Sequence, residues 1–301
     1  MSLTFATIIL NWNQADDTLA CVRAVEALPL APERIWVVDN GSAPGDVERI
    51  RRECSGVRLI FSETNKGFAG GNNLALVEIL RAGYDAVLLL NNDATVDAAS
   101  LEHLCATLRN HPAVGIVGPM LWDADQPDRL LAAGGRDIAH HLSSHLHEPV
   151  RWGELREVDY VPGTCVLIRA QMLRLTGLLD EDFFFGGEVA ALCKAGRALG
   201  YGCVVDGCAR ANHSIRRSSK IRRSLHAYYV MRNRFLFIRR FYARKKIALY
   251  LLWTAYAVYN GLLATIQRDS RHAKAIWQGC LDGWLGRVGN QNARVTGGQI
   301  S

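Results

Sequence analysis

The stretch Ala86-Val87-Leu88-Leu89-Leu90-Asn91-Asn92-Asp93 decides the architecture. Five apolar residues in a row, without polar alternation, suit a strand covered on both faces, which is the usual condition of a parallel sheet. The abrupt change to Asn91-Asn92-Asp93 marks its carboxyl end. Upstream, Thr4–Leu10 is a second apolar, β-branched run, ending at Asn11-Trp12-Asn13. Arg34–Asp39 is a third, closed by Asn40-Gly41, and Val57–Phe61 a fourth. Between and after them, helical spacing predicts helices over Ala15–Leu28, Asp46–Glu53, Ala69–Ala82 and Ala98–Arg109, then a strand at Val114–Val117. Strands alternating with helices predict a parallel α/β sheet.

Further along, the regularity changes. From Met120 to about Tyr160 the pattern dissolves, which predicts loops or a small antiparallel excursion. Val166–Ile168 reads as a strand, Glu188–Leu199 as a helix and Tyr201–Val205 as a strand. From Ser224 onward the spacing is helical over Leu225–Phe241, Ile247–Ile266 and His272–Leu285. No internal repeat is present.

The chain has 301 residues, 49% of them hydrophobic and 21% charged, which excludes disorder and low-complexity classes. Its net charge of +6 hides a split. Residues 1–209 hold 17 Lys/Arg against 27 Asp/Glu, a balance of −10. Residues 210–301 hold 18 Lys/Arg against Asp269 and Asp282 alone, a balance of +16. An acidic body with a basic, anion-seeking tail follows. The expected division is a body over 1–215 and a helical region over 216–301. Eight scattered cysteines with no CxxC pair argue against a disulfide scaffold or zinc ribbon and for a reducing, cytoplasmic compartment. The opening run lacks a basic n-region, so no secretory signal is expected.

Ligands of parallel α/β sheets bind beyond the carboxyl ends of the strands. Four polar clusters fall there: Asn11-Trp12-Asn13; Asp39-Asn40-Gly41-Ser42; Asn65 to Asn73, with Gly67, Gly70 and Gly71 inside it; and Asn91-Asn92-Asp93. Taken singly, each is a turn former. Together on one edge they read as a site. A carboxylate at Asp39 suits the N–H groups of a nucleobase or the hydroxyls of a ribose. Glycines such as Gly67 and Gly71 allow close backbone approach. Asp93 suits a divalent metal that bridges two phosphates, since Mg²⁺ and Mn²⁺ take few carboxylates plus phosphate oxygens.

These residues resemble a known family. The opening strand with Asn11-Trp12-Asn13, VVDNGS (37–42), NKGFAGGNN (65–73) and LLLNND (88–93) are similar to the family 2 glycosyltransferases of GT-A fold, in the rhamnosyltransferase-like branch. VPGTCVLIRA (161–170), LDEDFFFGGE (179–188), YYVMRN (228–233) and GCLDGWLGRVG (279–289) extend the likeness over nearly the whole chain. The resemblance implies an α/β GT-A fold, Rossmann-like, with a mostly parallel central sheet and a C-terminal helical extension. It implies an inverting transfer of a sugar, dTDP-rhamnose being one donor the branch suggests, from a nucleoside diphosphate to a saccharide or polyprenyl-linked acceptor. The residues it marks for the donor are Asn11, Asn13, Asp39, Asn40, Asn65, Gly67, Gly71, Asn73, Asn92, Asp93 and Gly163. It assigns Mn²⁺ or Mg²⁺ to Asp93, with Asn91 where the family usually has a second acid, and to His213.

The catalytic base departs from the family pattern. Val189 and Ala191 stand where members usually carry aspartates, leaving Glu188 as the carboxylate of that stretch. At a helix start its ionised form is expected to be favoured, as a base requires. Asp180, Glu181 and Asp182 are reserve candidates. A catalytically silent sugar-nucleotide-binding homologue and a membrane-associated scaffold are the rival readings.

Thirteen Lys/Arg lie between Arg210 and Lys246, interleaved with aromatics. The acidic body and the lack of an RNA-binding motif argue against nucleic acid. An anionic membrane surface at the inner face of the cell membrane fits better. Arg216, Arg217, Arg222 and Arg223 are candidates to close over a donor diphosphate, and the helical tail is a candidate for pairing two copies of the chain. Ile247–Gln267 is uncharged for 21 residues, but its polar and aromatic residues favour a packed or interfacial helix over a membrane span. His140, His141, His145 and His147 sit in the irregular stretch, where contact with the acceptor is expected more than a zinc site.

Overall fold

A computed structural model describes residues 3–28, 34–214 and 220–298. The chain runs β1 (Phe5–Asn11), α1 (Ala15–Glu26), β2 (Ile35–Asn40), α2 (Pro44–Glu53), β3 (Arg58–Ser62), α3 (Gly67–Arg81), β4 (Ala86–Asn91), β5 (Ala94–Val96), α4 (Ala98–Asn110) and β6 (Val114–Asp123). It continues through β7 (Leu130–Ala132), β8 (Leu155–Glu157), β9 (Cys165–Arg169), α5 (Ala170–Thr176), α6 (Glu188–Ala198) and β10 (Gly202–His213). Helices α7 (Lys220–Phe241), α8 (Lys246–Ile266), α9 (Ser270–Leu285) and α10 (Asn292–Thr296) complete it.

One sheet organises the body, in the order β3-β2-β1-β4-β9-β6-β10-β5. The pairings β3–β2, β2–β1, β1–β4 and β6–β10 are parallel. Strand β9 is inserted antiparallel between β4 and β6, and β5 closes the edge antiparallel to β10. The sheet is therefore mostly parallel but mixed, where alternation alone predicted parallel strands throughout. Period-two side chains supply two separate cores. Ile8, Val38 and Leu89 face α3, α6 and the tail helices, while Ile9, Val37 and Leu88 face α1, α2 and α4. Both faces are covered, which is why the strands read as continuous apolar runs.

Two strands outgrow their expected limits. β6 extends to Asp123 and β10 to His213, and they pair along both extensions. Gly207 and Cys208 hide the continuation of β10 from a hydropathy reading, because they lie in a bulge. There β10 advances from Asp206 to Arg210 while β6 advances only from Pro119 to Met120. Bulges of this kind re-aim a strand near its end.

The tail packs onto the body. Met231, Phe235 and Phe237 of α7 and Trp253 of α8 belong to the same apolar cluster as Val189 and Leu192 of α6. Helix α9 approaches α7 through two glycines one turn apart. A Cβ at Gly279 would lie 2.6 Å from the Tyr228 carbonyl oxygen, and one at Gly283 2.5 Å from the Phe235 ring. That close contact accounts for the glycine spacing of the 279–289 motif. The face of α8 holding Tyr250, Trp253 and Ala257 is buried, so this helix is packed on its neighbours. It is nonetheless apolar and long enough to cross a membrane over Ala243–Ile266.

Candidate active site

A cleft of about 1200 Å³ opens at the carboxyl ends of β1 and β4, where α/β sheets bind ligands. Asp93 enters it directly after β4. The next residues, β5, pair antiparallel with the last residues of β10, Ala94 opposite His213. The Ser214 amide also donates to the Asp93 carbonyl at 3.0 Å. This pairing brings two residues 120 positions apart to one point: His213 Nε2 lies 3.1 Å from Asp93 Oδ1. The two do not form a hydrogen bond, and Asp93 Oδ1 is buried without a partner. A carboxylate and an imidazole converging with an unsatisfied oxygen between them fit a divalent cation. Among the described residues no group of three or more His, Cys, Asp or Glu could hold a metal, so the remaining ligands would come from outside the protein. That suits Mg²⁺ or Mn²⁺, which retain room for phosphate oxygens.

Glu188 stands at the start of α6 on another wall of the same cleft. It is 5% exposed, and its Oε2 has no hydrogen-bond partner. Burial pushes its carboxyl up to about 7, although its own amide and that of Gly186 pull the other way. The helix start was expected to keep this group ionised. Desolvation outweighs that influence, leaving a carboxyl balanced near neutrality.

The approach to Glu188 is built from an unusual backbone. Phe184 has φ +60°, and Gly186 and Gly187 have φ +81° and +99°. Helix α7 holds this segment from the tail side. Asn233 Nδ2 donates to the carbonyls of Phe183, Phe185 and Gly186. Arg232, fully buried, donates to the carbonyls of Asp182, Phe183 and Gly289 and lies 4.8 Å from the Tyr229 ring.

Residues 7–173 match the model of glycosyl transferase family 2. The chain belongs to that family. Among curated relatives it is 26% identical over 237 residues to the low-salt glycan biosynthesis hexosyltransferase Agl10 of Haloferax volcanii, covering 76% of this chain and 73% of that one. It is 24% identical over 188 residues to N-acetylglucosaminyl-diphospho-decaprenol L-rhamnosyltransferase of Mycobacterium tuberculosis, covering 54% of this chain and 61% of that one. Among solved structures, GalNAc-T7 with UDP, GalNAc and Mn²⁺ superposes with a TM-score of 0.65 at 16% identity, over 82% of this chain and 50% of that one. The mannosyltransferase PcManGT from Pyrobaculum calidifontis, in complex with GDP-Man and Mn²⁺, gives 0.59 at 13% identity, over 94% and 88%. The fold is the GT-A fold of these glycosyltransferases.

The other residues marked by the family 2 motifs divide into two groups. Asn40, Asn65, Gly67, Asn92 and Gly163 line the cleft with Asp93. Asn11, Asn13, Asp39, Gly71 and Asn73 do not line it, and the structure engages each with protein. Asp39 is buried, with Asn11 Nδ2 donating to it at 2.7 Å and the Ser42 amide at 3.0 Å. Asn11 Oδ1 accepts from Thr18, which in turn accepts from Asn92. Asn13 accepts from the Ala43 amide, and Asn73 clamps Leu179 and Glu181. The glycine run admits the chain itself rather than open space. A Cβ at Gly67, whose φ is +72°, would lie 2.2 Å from the Phe184 carbonyl oxygen, and one at Gly71 2.5 Å from Leu10.

Several remaining expectations are resolved by contact. Val189 and Ala190 line the cleft beside Glu188, so the position of the family's missing aspartate is apolar wall. The reserve acids are occupied elsewhere: Glu181 by Asn73, and Asp180 and Asp182 by Arg240. Arg222 lies against Trp12, 5.6 Å from the ring, and near enough to Asp93 to feel its charge. Arg223 also lines the cleft. Arg216 and Arg217 lie outside the described residues. Of the four histidines, His145 and His147 line the cleft, whereas His140 packs on Tyr242 and pairs with Asp137. Arg234 was not singled out from the sequence, and Arg232 and Asn233 entered only as part of YYVMRN (228–233). No local signal separates them, because α7 carries polar residues along its whole length, among them Arg222, Arg223, His226, Arg239 and Arg240.

Proposed function

We propose that this family 2 member moves a sugar from a nucleoside diphosphate to an acceptor hydroxyl, with inversion at the anomeric carbon. The observation that carries this reading is a single cleft holding both the Asp93–His213 pair and Glu188 with a free oxygen. The printed ligands of the structural neighbours, UDP or GDP-Man with Mn²⁺, support a nucleotide donor and a divalent cation. Rhamnose is the donor sugar suggested by the mycobacterial relative, and a polyprenyl-linked saccharide the acceptor.

Asp93 and His213 would hold Mn²⁺ or Mg²⁺, which supplies charge neutralisation to the departing diphosphate when bound. Asn40, Asn65, Asn92 and the backbone at Gly67 and Gly163 line the donor's side of the cleft. Asn11, Asn13, Asp39, Gly71 and Asn73 support that wall from behind. Arg222 covers the diphosphate. Glu188 Oε2 accepts the proton of the attacking hydroxyl as the new bond forms. A carboxyl near 7 suits this step, because it is substantially ionised at neutral pH and still basic enough to take a proton.

In this reading the body over 1–215 and the tail over 216–301 divide the work, the tail closing the cleft and meeting the membrane. Leu251, Leu262 and Ile266 of α8 and Trp284 of α9 are exposed, with Arg244 and Lys245 exposed beside them. An apolar face rimmed with cations fits the cytoplasmic face of an anionic membrane. Pairing of two copies through this face is the competing use.

The deciding experiment is a thermal-shift screen of nucleoside diphosphate sugars with and without Mn²⁺. A true donor raises the melting temperature by linkage, and only with the cation. Failure of every sugar nucleotide to do so, in protein that melts cooperatively, refutes the reading.

A further inference from the structure

The cleft has a second basic region that the donor does not account for. Arg234 of α7 lines it, lying 4.3 Å from the Trp253 ring. Its Nη1 donates to the Val230 carbonyl, but its Nε is buried without a partner. Around it stand His145 and His147, from the loop after β7, and His226 of α7 and His272 of α9, all on the cleft wall. Their charges are mutually felt. Burial first, then the nearby His147, His226 and Arg234, hold His145 below the ordinary histidine value. Crowding, then Arg234 and His272, do the same to His226. The titratable groups acting on Arg234 include no carboxylate, only the phenols Tyr256 and Tyr160. Among the described residues, the only carboxylates lining the cleft are Asp93 and Glu188.

An uncompensated guanidinium among histidines is costly unless an anion completes it. The donor diphosphate is not that anion. Arg222 is the α7 residue near Asp93, and Arg234 follows it by twelve residues, or ~18 Å of helix axis at 1.5 Å per residue. Each guanidinium is fixed against its own tryptophan, Trp12 for Arg222 and Trp253 for Arg234. One diphosphate does not span both. Arg234 lies at the Glu188 end instead. The preceding residue, Asn233, binds the Gly186 carbonyl, and Gly187 abuts it. Trp253 belongs to α8, whose outer face is exposed and apolar.

We propose that Arg234, with His145 and His226, forms a second anion subsite that takes the phosphate or diphosphate of the acceptor and thereby presents the acceptor's sugar hydroxyl to Glu188. This deepens the glycosyltransferase reading and rests on it for the word acceptor, but the binding itself is testable without any sugar nucleotide.

The test titrates the full chain, in EDTA, with farnesyl diphosphate, inorganic pyrophosphate and farnesol. Farnesyl diphosphate is expected to bind and farnesol to bind at least tenfold more weakly. Comparable binding of pyrophosphate and farnesyl diphosphate identifies a soluble phosphorylated acceptor. Tighter binding of farnesyl diphosphate identifies a lipid-linked one. Arg234→Gln is expected to weaken diphosphate binding by about 10- to 100-fold, the worth of a charged hydrogen bond. Arg234→Lys, which keeps charge and loses the fork, and His226→Gln should each weaken it severalfold. Nucleoside diphosphate binding with Mn²⁺, measured separately, should be unchanged in all three. If Arg234→Gln fails to melt cooperatively, the other two variants decide. The subsite is refuted if the wild type does not bind farnesyl diphosphate, or if farnesol binds equally well. It is also refuted if the folded variants bind within twofold of the wild type. Loss of nucleotide binding in the wild type would instead strike the donor reading and leave the anion subsite standing.

Discussion

At the residue scale the base proposed at Glu188 comes first, and its environment makes two predictions that run in opposite directions. Removing the base by Glu188→Gln should lower kcat by about 10²–10⁴-fold. In the wild type kcat/KM should rise with pH through about 7, and this limb should vanish in the variant. Stability should behave otherwise. The folded state holds this proton more tightly than the unfolded chain, whose carboxyl keeps its ordinary value of 4.5. The group therefore favours folding most below that value, and its contribution is lost as pH rises through about 7. Above that pH the wild type contains a buried carboxylate, whose cost reaches about 3 kcal/mol. Glu188→Gln should accordingly melt higher than the wild type at pH 8 and show little difference at pH 4.5; equal melting at pH 8 would contradict the burial. Asp93→Asn should weaken Mn²⁺-dependent nucleotide binding by more than the roughly 10- to 100-fold typical of losing a ligand's supporting partner. Calorimetry with and without Mn²⁺ measures this. The places of these two carboxylates in the fold were readable from sequence because one follows and the other opens a strongly patterned element. Asp39 was readable as a polar strand end and Asn73 as part of the glycine-asparagine run, but neither as a group turned inward, since hydrogen-bond partners 28 and 108 positions away leave no local trace.

At the scale of elements, the long basic helix α7 is the main departure from what composition suggested. Its cations were read as a surface for anions, yet Arg232 is fully buried and binds three carbonyls of two distant loops. Truncating it strips the Gly289 carbonyl of this donor, while Phe183 keeps Asn233 and Asp182 keeps the Gly289 amide. Arg232→Ala should cost about 1.5–3 kcal/mol in chemical denaturation, the worth of charge-assisted hydrogen bonds, and Arg232→Lys should rescue only part of this, because one ammonium lacks the planar fork. A change under 1 kcal/mol would show that the helix does not hold the Glu188 segment. Apolar runs located β1, β2 and β4 to within a residue or so, because both-face burial writes itself into composition, and located the half-exposed edge strand β3 equally well. It missed β5, which has three residues and owes its existence to β10, and the antiparallel sense of β9, which no local pattern encodes.

For the whole molecule, body and tail share one apolar cluster, although charge divides them sharply. A fragment ending at residue 215 would expose the partners of Met231, Phe235 and Trp253. It should fail to melt cooperatively, and a sharp transition in that fragment would show the body to be independent. The exposed apolar face of α8 and α9 should bring the full chain to the top of a density gradient with anionic vesicles and leave it behind with neutral ones. Leu251→Ser combined with Ile266→Ser should abolish flotation without altering nucleotide binding. Absence of flotation in the wild type would remove the membrane reading, flotation retained by the variant would take the contact off this face, and a sedimentation shift from dimer to monomer in that variant would assign the face to self-pairing.

The bulge in β10 has a consequence for how this chain tolerates insertions and deletions. Between Asp206 and Arg210 the strand carries three residues that β6 does not match, and only beyond them does His213 come level with Ala94. Side chains alternate faces with every residue, so a single codon gained or lost at 207–209 would turn His213 to the opposite side of the sheet. Changes of length that a hydrophilic surface hairpin absorbs silently should here be intolerable, and a reading-frame-preserving deletion scan across the strand would find its sharpest activity minimum at Gly207, Cys208 and Ala209.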